Sequence, residues 1–369
     1  MISAPARDPR KVYTERFIFM LALLIPAAYL MGARVLVISA VSVAAAFVFD
    51  MLFCRLRKIP FDAKDCCVPF WALSAAMLMS SGISLWLVVL SSFIIVALGK
   101  HVFGEADNII FSPAAISAAF LIICYPIDML YYPKSGEIYP LFSEFNGVFT
   151  RGIEYTMKLG LAPTNSVMDI LMGAVPGAFG AVNIMIILVC GICLLIRRSN
   201  SVSAVVSCLV TAGVLAFAYP RADVSGLMSV FYEFSSGYFL FGVFFMAAEP
   251  YILPKCLGGR IIYGVVLGYT VMMFRNFGQT EGSFIFALLI VNALSGCFDT
   301  IVENISYWKK SYINSYEQNK TEVQHGSVKL TDTQEIVLPE KYRYNTPPVD
   351  GEIKKHRRRA RKEDNDAEQ

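Results

Sequence analysis

The sequence predicts an all-α polytopic membrane protein, with about ten transmembrane helices in two inverted five-helix halves. Two observations come first. Of 369 residues, 56% are hydrophobic and 17% charged, with mean hydropathy +0.55, against about 25% charged in ordinary soluble domains. The charge is also uneven: 25 of the 61 charged side chains lie in residues 301–369. What remains is long enough for about ten spans of roughly 20 residues. This arithmetic argues against a soluble enzyme, a secreted disulfide scaffold and a nucleic-acid binder.

The elements follow in order. Residues 1–16 carry Arg7, Arg10, Lys11 and Arg16, and no small-residue cleavage site follows, so the first apolar run is expected to stay as a span. Apolar runs bounded by charge, Pro or Gly fall at 17–32, 35–53, 67–80, 84–99, 109–126, 179–196, 202–219, 236–250, 261–274 and 282–299. The chain therefore divides into an N-terminal segment (1–16), a first half (17–126), an outer loop (127–178), a second half (179–299) and a polar tail (300–369). With the N-terminus inside, short inner segments carry 13 Lys/Arg and outer segments six, which predicts two cytoplasmic termini. Five spans per half is an odd number, so the second half enters the membrane inverted. The tail is too polar to fold alone, and its basic run 354–362 either lies against anionic lipid or a partner subunit or is part of a solvated, disordered end.

The third span of each half is irregular: 67–80 opens with Pro69, and 236–250 ends at Glu249-Pro250. Interrupted segments at matching positions of two halves point to a site built from broken helices. Glu249 is a functional candidate as an intramembrane or edge carboxylate, unless it lies outside and balances Lys255 and Arg260. Glu281 and Asn292 are weaker cases of the same kind. In segment 99–126, Lys100, His101, Glu105, Asp107 and Asn108 lead into a run broken at Ser112-Pro113. That is either a Pro-interrupted span lining a cavity or a plain loop with Ser112 as N-cap and Pro113 at the first helical position. Cys190 and Cys193 share a helix face, but two thiols without further ligands make a weak site. The histidines are dispersed, and no metal constellation is expected. Gly173, Gly177 and Gly180 surround Pro176 without forming a nucleotide fingerprint.

These segments together resemble the D-type membrane component of the Rnf electron-transport complex and the related B-type component of the sodium-pumping NADH:quinone reductase, over roughly residues 12–305. The resemblance rests on GKHVFGEADNIIFSPAAISAAF (99–120), GAVPGAFG (173–180), FLFGVFFMAAEP (239–250), GRIIYG (259–264) and EGSFIFALLIVNALSGCFD (281–299). It implies a urea-transporter-like architecture in a bacterial cell (inner) membrane. It also implies a role as the flavoprotein subunit of a complex that moves Na⁺ or H⁺, with other subunits, the lipid bilayer and a flavin transferase as partners. The family's covalent FMN, joined through phosphate to a Thr in a Ser-Gly-Ala-Thr type motif, would fall on Thr164 of Leu161-Ala162-Pro163-Thr164, with a second, noncovalent flavin also allowed. Asn108, Ser112, Pro113, Glu249, Pro250, Glu281 and Asn292 become the pocket or ion-path residues. The family usually has Asn-Pro at Ser112-Pro113 and Asp-Pro at Glu249-Pro250. Two other readings are a small-solute transporter or channel of similar architecture, and a scaffold subunit lacking covalent flavin.

Overall fold

The computed structural model describes residues 8–60, 66–102, 109–134, 141, 148–278 and 282–324, with side chains up to Lys309 and at Ser311. It resolves into two compact units, 1–303 and 304–369. The second is described only as the helix that runs to residue 324.

Helix α1 (Pro9–Met31) begins where Asp8 accepts the Arg10 N–H at 3.1 Å and Pro9 fixes the first helical position. It stops at Gly32, whose φ of 91° few other residues adopt. Helix α2 (Arg34–Arg57) ends on Lys58 in the left-handed region, φ 57°. Helix α3 (Cys67–Met77) is short and buried on nearly every side, which is why it is apolar all round. Helix α4 (Leu85–Ile94) continues as a π-helical stretch, Ile95–Lys100, and α5 (Pro113–Cys124) starts against it.

By length and composition, three helices can cross a membrane: Pro9–Met31, Arg34–Arg57 and Leu257–Gly278. Two bent pairs raise that to five, and five further apolar helices are shorter. Each of the ten apolar runs read from the sequence coincides with one of these helices, in whole or in part. The multi-pass membrane character is plain.

Two boundaries that bear on the sites differ from the sequence reading. The run 236–250 is the second part of a longer broken element: α11 (Gly226–Ser235), a break at 236–238, then α12 (Phe239–Gly242) continuing as π-helix to Ala247, with a 64° bend. Hydropathy does not find α11 because Glu233 interrupts it, and that carboxylate is buried. Helix α9 (Ile184–Ile196) begins at an Asn183 cap rather than at 179. The residues before it serve another purpose. Phe179 N–H donates to Met79 O at 3.3 Å and Gly180 N–H to Met77 O at 2.9 Å, satisfying carbonyls at the end of α3 that no helical partner reaches. A Cβ on Gly180 would lie 2.3 Å from Met77 Cβ.

The stretch 127–178 is more than a loop. It contains most of α6 (Pro126–Leu130), a ribbon of β1 (Tyr131–Pro133) and β2 (Phe149–Arg151) in register Tyr131↔Arg151, then α7 (Ile153–Lys158) and α8 (Val167–Met172).

Helix α10 (Val202–Ala218) packs along α13 (Leu257–Met273), which continues as π-helix through Gly278. Gly264 and Gly268 make the close approach possible. A Cβ at Gly264 would stand 2.0 Å from Ser207 Oγ and 2.4 Å from Ala204 O. Gly264→Val is therefore expected to destabilise the fold by about 1–3 kcal/mol, read as a lowered melting midpoint in detergent. Gly296→Ala, where a Cβ meets nothing within 4 Å, should leave the midpoint unchanged. Helix α14 (Ser283–Ala293) packs on α5 and α13, and α15 (Ser295–Gln324) follows.

Candidate functional site

Among the described residues, three clusters of buried charged or amide side chains stand out in the apolar bundle. The first is built on the end of the π-helical turn at 243–247, where the chain turns at Glu249 and Pro250 has no N–H with which to continue a helix. Glu249 is 1% exposed, so it does not balance Lys255 and Arg260 in solvent. Tyr13 Oη donates to its Oε1 at 2.5 Å and Trp71 Nε1 at 3.1 Å. Arg16, fully buried on the same face of α1, donates to Phe245 O at 2.7 Å and sits over the Phe70 ring at 5.0 Å. A buried carboxylate facing two neutral donors and one guanidinium is held by helices distant in sequence. Tyr13→Phe removes a charge-assisted bond of about 1.5–3 kcal/mol. It should lower the melting midpoint measurably, while Tyr13→His should not restore it.

The second cluster joins predicted residues that lie far apart along the chain. Pro113 opens α5, and Ser112 occupies the cap position without a side-chain cap bond. With its amide oriented to satisfy every group, Asn292 on α14 donates to Tyr263 Oη at 2.6 Å and to Leu288 O at 3.3 Å, while its oxygen accepts the Ser112 N–H at 3.3 Å. Asn292 thus binds the start of α5 by accepting the N–H of its N-cap residue. Gly99 lets the end of the α4 element touch Pro113, since a Cβ there would lie 2.4 Å from Pro113 Cβ. Asn108 and Glu281 lie outside the described residues.

The third cluster is one that sequence reasoning misses. Arg221 and Arg275 are two of the six Lys/Arg that the sequence assigns to outer segments, yet both side chains are buried. Arg221 binds Glu233 through two nitrogens, at 2.5 and 2.9 Å. Arg275 donates to Glu233 Oε2 at 2.7 Å, Glu233 O at 2.6 Å and Ser236 O at 2.9 Å. Glu154 from α7 approaches the same guanidinium, Oε1 to Nε 3.7 Å. Beside it lies a cavity of about 30 Å³ lined by Glu154, Tyr132, Pro176, Gly237 and Tyr238, roomy enough for a water or two. The only sequence signal for this cluster is a glutamate inside an otherwise apolar run.

Thr164 lies apart from these clusters, exposed, between α7 and α8. Among the described residues nothing hydrogen-bonds its hydroxyl. Ser166 is occupied differently: its Oγ accepts the Asp169 N–H at 3.2 Å, and its N–H donates to Asp169 Oδ2 at 3.3 Å, closing a capping box on α8.

One grouping of metal-ligand types does form. Asp50, Cys54 and His101 bring ligating atoms within 4.8 Å of one another, which the dispersed histidines do not suggest. Lys100 lies 2.9 Å from each Asp50 oxygen, and an Arg57 nitrogen faces His101 Nδ1 at 3.2 Å. Burial pushes the imidazole below its ordinary range. The cations already balance this carboxylate, and the group reads as an ion-pair knot.

Residues 4–307 match the model of the NQR2, RnfD, RnfE family. Among similar proteins, the D component of the ion-translocating oxidoreductase complex of Actinobacillus succinogenes is 25% identical, over 72% of this chain and 84% of its own. That of Haemophilus influenzae strain PittEE is 26% identical, over 79% and 93%. The D component of the proton-translocating ferredoxin:NAD(+) oxidoreductase complex of Clostridium ljungdahlii is 23% identical, over 75% and 85%.

Proposed function

The chain belongs to the NQR2, RnfD, RnfE family, and from that membership we propose that it is the D-type membrane component of a complex coupling electron transfer to ion translocation. The observation that carries this is the extent of the match: it takes in every apolar helix rather than one motif. In this reading the apolar helices form ten spans in two inverted, urea-transporter-like halves of a bacterial inner-membrane protein, with both termini cytoplasmic. The partners are the complex's other subunits, and a flavin transferase would act on the outer segment.

The cofactor of this reading is FMN joined to Thr164, with a second, noncovalent flavin also allowed. The residues suit covalent attachment. An exposed hydroxyl with no hydrogen-bond partner among the described residues is available for a phosphoester, while the neighbouring Ser166 hydroxyl is engaged in a helix cap. A bound flavin accepts two electrons and releases them singly, and the protein supplies its position and surroundings. Ser112, Pro113, Glu249, Pro250 and Asn292, with Asn108 and Glu281, are the ion-path residues of this reading. Buried polar groups in a membrane bundle commonly mark such paths.

The test is affinity purification of the tagged chain from its native membrane, then reconstitution into vesicles. Co-purification with redox subunits, and ion movement driven by electron transfer that depends on this chain, are expected. A chain that purifies alone and conducts a small solute would overturn the proposal in favour of a transporter.

A further inference from the structure

Among the described residues of 127–178, Glu154 carries the one buried charge. Taking a carboxylate out of water costs several kcal/mol unless partners offset it, and the partners here come from three broken elements. At α14, Ser283 Oγ donates to Oε1 at 3.0 Å, and the Gly282 N–H lies 3.5 Å from Oε2. From the π-helical end of α13, Arg275 reaches Oε1 at 3.7 Å. At the α11–α12 break, Gly237 (φ 61°) leaves room that a side chain would fill: a Cβ there would come 2.1 Å from Oε2. Arg275 also holds that break through Ser236 O.

The path from Glu154 to the attachment hydroxyl is short and stiff. Glu154 sits in the first turn of α7, and that helix closes with Gly160 N–H on Met157 O at 3.0 Å and Leu161 N–H on Thr156 O at 3.2 Å. Gly160 has φ 75°, the conformation such a closure needs. Pro163 is then buried, and Thr164 projects outward immediately after it. Ten residues separate the buried carboxylate from the exposed hydroxyl.

We propose that Glu154 is a positioning residue: its carboxylate anchors the outer segment to the broken ends of α11, α13 and α14, and thereby sets where a group borne on Thr164 sits. The inference rests on the flavin reading of Thr164 for its functional consequence, though the anchor itself does not. Movement at any of the three breaks is transmitted to the outer segment through this carboxylate, so a change in the bundle is felt at the attachment position.

The experiment uses the purified complex carrying Glu154→Ala, Glu154→Gln or Glu154→Asp, with two readouts. Trypsin cleavage after Lys158 reports opening of the segment and needs no flavin. Loss of the anchor should raise its rate by about tenfold or more, because cleavage follows the population of the opened form. Glu154→Gln keeps one acceptor oxygen, for Ser283 or for Gly282 but not for both, and loses the charge facing Arg275, so it should fall between Ala and the parent. The reduction midpoint of the Thr164-linked flavin should shift in Glu154→Ala and return towards the parent in Glu154→Asp. If Glu154→Ala fails to fold, Gly237→Ala crowds Oε2 with every charge in place and should accelerate cleavage in the same direction. Unchanged cleavage in the variants that fold would overturn the anchor, and an unshifted potential beside faster cleavage would overturn the positioning role. Absence of flavin from the parent chain would instead refute the reading of Thr164, while the cleavage result still decides the anchor.

Discussion

Arg275→Met is expected to cost about 3–5 kcal/mol, the range for removing one partner of a buried ion pair. The guanidinium is 1% exposed and donates to the Glu233 carboxylate and to the backbone carbonyls of Glu233, near the end of α11, and of Ser236, in the α11–α12 break. Without it, Glu233 keeps only Arg221, Glu154 loses its cation, and the carbonyls of Glu233 and Ser236 lose a donor. Arg275→Lys retains charge but not the fork that reaches several acceptors at once, so it should recover only part of the loss. Fluorescence-detected size exclusion with a thermal ramp gives the comparison. A melting midpoint equal to the parent's in Arg275→Met would mean that the cluster contributes little to stability. Arg275→Met with Glu233→Gln should lose less than the sum of the single changes, since the stranded charge is then gone.

Thr164→Val should abolish covalent flavin completely while leaving the melting midpoint within about 0.5 kcal/mol of the parent, as for other exposed substitutions. A phosphoester needs a hydroxyl, and valine keeps the branched shape without one. Ser166→Ala is the matched control. It removes a capping bond worth about 0.5–2 kcal/mol and should keep flavin at full occupancy. Both proteins are produced with a flavin transferase, and the denatured bands are examined under ultraviolet light and by peptide mass. Flavin retained in Thr164→Val, or lost in Ser166→Ala alone, would move the attachment point to Ser166. A parent chain that stays dark beside a labelled relative would leave a scaffold protein as the better reading.

The candidate residues are unevenly legible in the sequence. Glu249 is visible because a carboxylate at the edge of an apolar run is conspicuous. Its surroundings are not, since Tyr13 lies 236 residues away along the chain. Ser112 and Asn292 each stand out, but nothing in their spacing suggests that one accepts the backbone N–H of the other. Thr164 comes from a resemblance; the structure adds that its hydroxyl is exposed and that Ser166 is engaged in a cap. Glu154 gives no local signal of a site, Glu233 gives only that of a glutamate in an otherwise apolar run, and Arg221 and Arg275 look like ordinary loop charges.

Apolar composition by itself determined the membrane class and the approximate extent of most helices, because transfer from water is a property summed over neighbouring side chains. Glycine and proline determined several breaks for an equally local reason, the φ values they permit or forbid. Only the tertiary structure decided which charges are buried. A carboxylate enters an apolar interior when a partner offsets its desolvation, and for Glu154 that partner set includes Ser283, 129 residues further on. Local hydropathy counts such a residue as loop, because the group that stabilises it lies far outside any window that could be read.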